Sequence, residues 1–305
     1  MLAAPYLTAM KKLFSSVILT TFSCLLLLAC ACAQKTPVDN GEEPYQWGGN
    51  GGDKPVTPSA IYPKPSGAFR IMSYNVGALG KFITSVTENA DLVAAIIKEL
   101  QADVVGLNEL DSCNTRHNVN EIALLAKGVG DWNWHYGRTL NYKGGGYGNG
   151  IITPPSTRVL SVQRLHFQNT TNYENRGMIV VETNDYVLAA SHLDHSSEDY
   201  VQSQIAEINA WVQSKYLNYD VPVFFCGDMN SVPGSDAIKA LETCWEVISN
   251  TSDKTVGSGR CIDFIFHYKR SKAVKVLGGH TITQCDCGDV SKASDHFPIY
   301  VDVVF

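Results

Sequence analysis

The chain has 305 residues, 45% of them apolar and 18% charged, with 30 Asp and Glu against 24 Lys and Arg for a net charge of -6. Those proportions suit a globular protein with a sizeable core. They leave no basic footprint of the kind nucleic-acid binders carry, although acidity alone does not exclude a nuclease.

The first element is a targeting segment. Lys11 and Lys12 precede Leu13 to Leu28, which carries no charge, and Ala29, Ala31 and Ala33 follow. A basic start, an apolar run and small residues make a secretory signal. Met10 is the more natural start, because the lysines follow it directly. The run is short for a membrane span, which takes about 20 residues. Two signal ends compete. Leu27-Leu28-Ala29-Cys30 resembles a bacterial lipobox, with Cys30 carrying the lipid. Ala31-Cys32-Ala33 suits plain cleavage before Gln34. The lipoprotein reading is favoured, because a long tether follows: Asn40 to Gly67, rich in Gly, Pro and Asn, reads as a flexible linker.

The expected organisation is therefore a signal over 1–33, a linker over 34–67 and a folded domain over 68–305. The expected place is the cell envelope, periplasmic or at the outer surface, with the membrane reached through the lipid anchor. Removing 1–33 takes away two lysines and no acid, so the charge goes from -6 to -8. An exported domain can form disulfides. Six cysteines remain beyond the signal: Cys113, Cys226, Cys244, Cys261, Cys285 and Cys287. The even count fits pairing without fixing connectivity. Cys226 lies in an apolar run and reads as a buried thiol. Cys285-Asp286-Cys287 lacks the usual spacing of a zinc or redox pair, and a structural role is expected of it.

After the linker, strands and helices alternate. Phe69–Val76 reads as a strand. Asn89–Gln101 has helical spacing, with Leu92, Ile96 and Leu100 on one face. Asp103–Leu107 is a short buried strand and Asn120–Lys127 a helix. Trp132–Leu140, Gly150–Pro155 and Arg158–Phe167 read as strands divided by turn residues. Arg176–Thr183 and Tyr186–Leu193 form an expected hairpin. Glu198–Tyr216 is a long amphipathic helix with Ile205, Ile208, Trp211 and Val212 on its apolar side. A strand over Val221–Cys226, a helix near Asp236–Thr243 and strands at Ile262–His267, Ala273–Leu277 and Ile299–Phe305 complete the chain. This argues for one α/β domain with two packed sheets and outer helices. A monomer is expected.

Polar residues interrupt the ends of these apolar strands. Asn75 ends the first. Glu109 follows Val104-Val105-Gly106-Leu107-Asn108, and His192 and Asp194 follow Val187–Ser191. Asp228 and Asn230 follow Val223–Gly227. Asp263 sits inside the apolar run Cys261–His267, and Ser294-Asp295-His296 precedes the last strand. Singly, each has an ordinary reading as a turn residue, a cap or a structural histidine. Together, carboxylates with Asn and His delivered from several strand ends would leave uncompensated charge without a cation. Oxygen-rich sets of that kind suit Mg²⁺ or Mn²⁺ better than zinc.

The ordered segments SYNVGAL, VVGLNELD, GYGNGIIT, AASHLDH, FFCGDMNSVPGS, CIDFIF and ASDHFPIYVDV resemble the motifs of the endonuclease/exonuclease/phosphatase family, in a bacterial exported branch. The resemblance covers nearly all of Phe69–Phe305. It implies a DNase I-like four-layer α/β sandwich, two packed mixed β-sheets flanked by helices, with the site at one end of the sheets. It implies a phosphoesterase using Mg²⁺ or Mn²⁺. It makes Glu109 the principal metal ligand, helped by Asn75 and Asp295. Asp228 would orient or deprotonate the attacking water or hold a second metal. Asn230 would hydrogen-bond phosphate or water, and His192 would hold a phosphate oxygen or assist the leaving group. Asp263 would pair with His296, as general base or charge stabiliser. Asn149 and Arg116 would contact substrate, with a solvated loop arginine an equal alternative for Arg116, and Tyr147 would flank the site.

Ser231-Val232-Pro233 and the segment RCIDFIF depart from the inositol 5-phosphatase pattern. The glycine-rich segment Gly144–Gly150 lacks the Gly-Lys-Ser/Thr ending of a P-loop. No Gly-x-Ser-x-Gly elbow supports a serine hydrolase around Ser191. His117, His135 and His195 read as surface or loop histidines. The expected substrate is a small sugar- or lipid-derived phosphate ester. The alternatives are an extracytoplasmic nuclease and, less favoured, a non-catalytic module.

Overall fold

The computed structural model describes residues 56–168 and 174–305. The signal segment, Cys30 and most of the expected linker lie outside the described residues. The elements run β1 (Phe69–Asn75), a single 3-10 turn (Gly77–Leu79), α1 (Val86–Glu99), β2 (Val104–Ser112), α2 (Glu121–Gly130), β3 (Asn133–Tyr142), β4 (Gly145–Thr153) and β5 (Val159–His166). Then follow β6 (Gly177–Thr183), β7 (Val187–His192), α3 (Glu198–Lys215), β8 (Val223–Asp228), α4 (Asp236–Glu242) and β9 (Trp245–Val247). The chain closes with β10 (Asp263–Tyr268), β11 (Lys275–Thr281), α5 (Val290–Ala293) and β12 (Ile299–Val304). Among the described residues, no helix is long and apolar enough to cross a membrane.

The strands form two six-stranded sheets, ordered β11-β12-β1-β2-β4-β3 and β5-β6-β7-β8-β10-β9. Both are mixed: β1 and β2 run parallel, as do β7 and β8, while their other neighbours are antiparallel. The alternation of side chains along each strand explains the layering. Ile71, Val104, Ile151 and Val301 of the first sheet meet Ile179, Leu188, Phe224, Cys226 and Ile265 of the second in one core. The opposite parity of the second sheet, including Val180, Ala189, Phe225, Phe264 and Phe266, packs under Ile205, Ile208 and Val212 of α3. β8 is therefore buried on both faces, which is why its sequence is an unbroken apolar run. On the first sheet, α2 packs against α1 and against β2, β3 and β4. Helix, sheet, sheet and helix make the four layers.

The helices start where their sequences permit a cap. Ser85, Asn120 and Ser235 accept the backbone N–H groups of Glu88, Ala123 and Ile238 at the first turns of α1, α2 and α4, satisfying donors that the helices cannot.

Three of the differences from expectation bear on the layout of the fold. The end of the presumed linker belongs to the fold: Ser59 N donates to Glu99 O, and Tyr62 packs its ring on Tyr300 and gives its carbonyl to Arg70. The anchor is Arg70 itself, buried and paired with Asp302 at 2.7 Å. Second, β2 runs on to Ser112 rather than stopping at Leu107. Third, the glycine-rich stretch, expected as turn residues between two strands, is most of β4. A Cβ on Gly148 would stand 2.1 Å from the carbonyl oxygen of Gly137 on β3, so the close strand approach requires glycine there.

Candidate active site

Register places the polar strand ends together. β7 and β8 pair His192 with Asp228, and β8 and β10 pair Asp228 with Asp263. One row across three neighbouring strands of the second sheet thus carries an imidazole and two carboxylates. In the first sheet, β1 pairs Asn75 with Asn108 of β2, and Glu109 comes next. His296 lies on the segment entering β12, the other neighbour of β1.

His296 joins the two sheets. Its Nδ1 is 2.9 Å from Asp263 Oδ2 and its Nε2 is 3.5 Å from Asp228 Oδ2. His192 Nε2 reaches the same Asp228 oxygen at 3.4 Å. Asn75 Nδ2 donates to Glu109 Oε1 at 3.0 Å and to Asp228 Oδ2 at 3.2 Å. Asn75 Oδ1 accepts Gly77 N–H, and Ser294 Oγ donates to Asn75 O. Asp228 Oδ1 accepts the backbone N–H of Asn230 at 2.8 Å, and Asn230 Nδ2 donates to Leu193 O. The two-residue spacing of Asp228 and Asn230 is thus an Asx turn.

Local backbone geometry aims these groups. The β2–β4 ladder shifts register between Leu107 and Leu110, and Glu109 there has φ 56. A bulge of this kind re-aims a side chain out of the strand alternation, and Glu109 lines the cleft as a result. At the end of β8, Gly227 has φ 139, and a Cβ on it would stand 1.8 Å from Ser191 O. Only glycine lets Asp228 follow so closely upon the parallel neighbour.

Burial sets the charges. Burial raises the Asp228 carboxyl to about 7, with Asp263 adding to the effect. Burial opposes charge on His296, but Asp263, by its charge and its hydrogen bond, raises the imidazole to about 9. His192 is pushed well down, by burial first and then by Arg176 and His296, so it is neutral at physiological pH. Two electronically opposite histidines therefore flank one carboxylate.

The endonuclease/exonuclease/phosphatase family model matches residues 72–296. The chain belongs to that family. Solved structures share its fold. An endonuclease/exonuclease/phosphatase from Bacteroides vulgatus is 18% identical, with TM-score 0.64, over 77% of this chain and 98% of that one. A mannosyl-6-phosphatase from Bacteroides thetaiotaomicron is 13% identical, with TM-score 0.64, over 78% and 100%. The catalytic domain of human Nocturnin with bound sulfate is 16% identical, with TM-score 0.63, over 82% and 99%. No curated protein sequence matches.

This family member opens a cleft of about 640 Å³ at the joined sheet ends, lined by Glu109, Tyr147, His192, Asp228, Asn230, Asp295 and His296 among others. Asp295 is 41% exposed and bound by Lys81 at 3.0 Å. Asp263 sits one layer beneath, behind His296. Asn149 and Arg116 do not line the cleft. Asn149 accepts from Asn108 Nδ2 and donates to Gly177 O, while Asn108 Oδ1 accepts Asp228 N–H. It therefore braces Asp228 through Asn108. Arg116 spends Nε and one terminal nitrogen on Asp111 at 2.6 and 2.7 Å, beneath the Tyr142 and Tyr147 rings. Of the three histidines read as surface residues, His195 lines the cleft, His117 pairs with Glu121 at 2.8 Å, and His135 buries its Nε2.

Cleft residues missed in the sequence are Arg176, Glu174 and Arg260, and Lys81 at its edge. Arg176 is buried and spans Glu174 and His195. It directly precedes Gly177, whose carbonyl Asn149 uses. A basic residue immediately before an otherwise apolar strand was the signal available.

The residues fit a hard divalent cation. Glu109, Asp228 and Asp295 offer carboxylate oxygens to one cleft, as Mg²⁺ or Mn²⁺ prefers. Ligand atoms of Asp228, Asp263 and His296 also lie within 4.8 Å of one another. Asn75, in contrast, presents its amide nitrogen to the carboxylates, since Gly77 holds its oxygen. In this arrangement it is a donor linking Glu109 and Asp228.

Proposed function

We propose that this family member is a divalent-cation-dependent hydrolase of small phosphate esters, sugar- or lipid-derived, that works by water attack. The observation that carries the reaction class is the row His192–Asp228–Asp263 closed by His296. It brings a proton acceptor, a neutral donor and a positioned imidazole to one point of the cleft.

Asp228 is the group suited to receive the water's proton. One of its oxygens is fixed by Asn230 N–H, and the other, Oδ2, meets Asn75, His192 and His296 at the cleft. His296 keeps Nδ1 for Asp263 and offers Nε2 to phosphate charge. The raised His296 and the titrating Asp228 support this division, because His296 is an imidazolium near neutrality while an Asp228 carboxyl at about 7 can both take up and release a proton there. His192, neutral, offers Nε2–H to a non-bridging or leaving oxygen. Asn230 holds the turn that orients Asp228 and addresses the cleft with the rest of its side chain. Glu109, with Asp295 and Asp228, would hold the cation, which when bound polarises the phosphate and offsets the carboxylates.

The substrate class rests on the cleft. Its volume is that of a small-ligand site, and Arg176 and Arg260 supply local positive charge for an anion in an otherwise acidic chain. The envelope location and the lipid anchor at Cys30 belong to the same proposal and rest on the sequence of residues 1–33. The test is a hydrolysis panel with Mg²⁺ or Mn²⁺: sugar phosphates, inositol phosphates, sphingomyelin, plasmid DNA and RNA. The expected result is release of phosphate or headgroup from a small ester. Cleavage of DNA or RNA with the small esters untouched would instead establish the nuclease.

A further inference from the structure

Away from the cleft, the segment Cys285–Gly288 folds into a tight turn bridged between its first and last residues. The Sγ atoms of Cys285 and Cys287 approach to 2.9 Å. Beneath the turn lies Glu99, the last residue of α1, which is buried. Its Oε1 accepts Asp286 N–H at 3.0 Å and its Oε2 accepts Cys287 N–H at 2.9 Å. A carboxylate inside the protein is thus committed to holding the backbone between two half-exposed thiols.

We propose that Cys285 and Cys287 are a dithiol–disulfide site. The geometry favours a disulfide over the alternative that the same donors suggest, a metal held by Glu99, Cys285 and Cys287. Zinc–sulfur bonds of about 2.3 Å in a tetrahedron separate two sulfurs by about 3.7 Å, wider than this pair stands. Both Glu99 oxygens are also already engaged by amides. A disulfide needs no further ligand, and the two sulfurs already stand 2.9 Å apart.

The two thiols share one S–H···S contact in which either sulfur can be the donor. Either can therefore attack. Where Cys285 leads, its thiolate attacks one sulfur of a disulfide R–S–S–R, forming a mixed disulfide and expelling R–S⁻. Cys287 then gives up its proton and attacks Cys285 Sγ, which expels the second R–S⁻. Two protons and two electrons leave the cysteine pair, and the oxidant disulfide becomes two thiols.

The site sits where bond formation bears on the cleft. Gly288 packs against the Leu92 side chain of α1, where a Cβ would stand 2.6 Å from Leu92 Cδ1. α5 follows at once and is fastened to α1 by Asn89 Nδ2 on Ala293 O. Ser294, Asp295 and His296 come directly after. A closed ring clasped by Glu99 fixes the start of the segment that delivers Asp295 and His296.

The test uses the whole chain, reduced and then equilibrated with oxidised glutathione as the probe, quenched with iodoacetamide and read by peptide mass spectrometry. The expected 285–287 peptide carries no alkyl group and is lighter than the dithiol by two hydrogens, with two reduced glutathiones released per chain. Cys287→Ser is expected to retain a glutathione adduct on Cys285, and reduction of the wild type is expected to speed hydrogen exchange at the Asp286 and Cys287 amides. Alkylation of both sulfurs, a lasting glutathione adduct on the wild type, or stoichiometric Zn²⁺ with both thiols intact would each overturn the proposal.

Discussion

Asp228 and Asp263 stand directly opposite each other on neighbouring antiparallel strands, both buried, and the ring of His296 lies between them. Like charges in that relation repel. The imidazole makes the arrangement tenable, and the same imidazole ties the end of one sheet to the end of the other. Structure and chemistry therefore share these three side chains.

Asp263 acts through His296. Asp263→Asn keeps the shape but weakens the hold on Nδ1–H and removes the charge that raises the imidazole. Phosphoesterase kcat should fall by about 10²–10⁴ with KM little changed. Adding Asp263→Asn to His296→Ala should cost nothing further. Additive losses in the double variant would show that Asp263 works independently.

The metal-free protein should lose stability as pH rises. Asp228 is near 7 in the fold against about 3.9 unfolded. Its contribution is complete below the unfolded value and disappears as pH rises through about 7. His296 is near 9 in the fold against about 6.5 unfolded, so its contribution is lost as pH rises through about 9. With EDTA present, Tm should decline from about pH 5 to pH 9. Asp228→Asn should flatten the lower half of that decline. A Tm that climbs with pH across this window would contradict the assignment.

Cation binding should be visible without turnover. Mg²⁺ or Mn²⁺ at about 100 times its Kd adds about 2.7 kcal/mol, a rise of several degrees in Tm for a domain of this size. Glu109→Gln should abolish most of that rise while leaving the metal-free Tm unchanged or higher. An undiminished rise in that variant would remove Glu109 from the cation site.

Gly106 and Cys226 measure how tightly the sheets meet. A Cβ on Gly106 would stand 2.3 Å from Cys226 Sγ. Gly106→Ala should cost about 1–3 kcal/mol by overpacking. Cys226→Ala removes the sulfur, and the double variant should be more stable than Gly106→Ala alone. Urea midpoints of the three variants would show this, and a double variant weaker than both singles would contradict it.

Much of this was legible along the chain. Apolar runs ending in Asn75, Asp228 and His192 announced buried strands with chemical ends, and the order of those ends pointed to the family. What escaped depends on partners far away in sequence. The Glu109 bulge is a property of the β2–β4 register, which nothing local to Leu107–Leu110 declares. The Gly144–Gly150 stretch reads as turn residues until β3 is brought against it. Arg116 and Asn149 were legible as polar residues near the site, but not their preference for Asp111 and Asn108. Arg176 and Lys81 were missed because a single basic residue before a strand, or in a loop, is too common a signal to single out a site.

The most direct measurement is the rate of hydrolysis of p-nitrophenyl phosphate and its bis ester with Mn²⁺, comparing the wild type with Asp228→Asn. The variant swaps a buried carboxylate for its near-isostere, so its Tm should hold or rise. The account predicts metal-dependent hydrolysis by the wild type, abolished by EDTA, and a loss of about 10³-fold in the variant, within the range of general-base removal. Equal rates in the two proteins, or no hydrolysis of either ester by a wild type whose Tm responds to the metal, would contradict it.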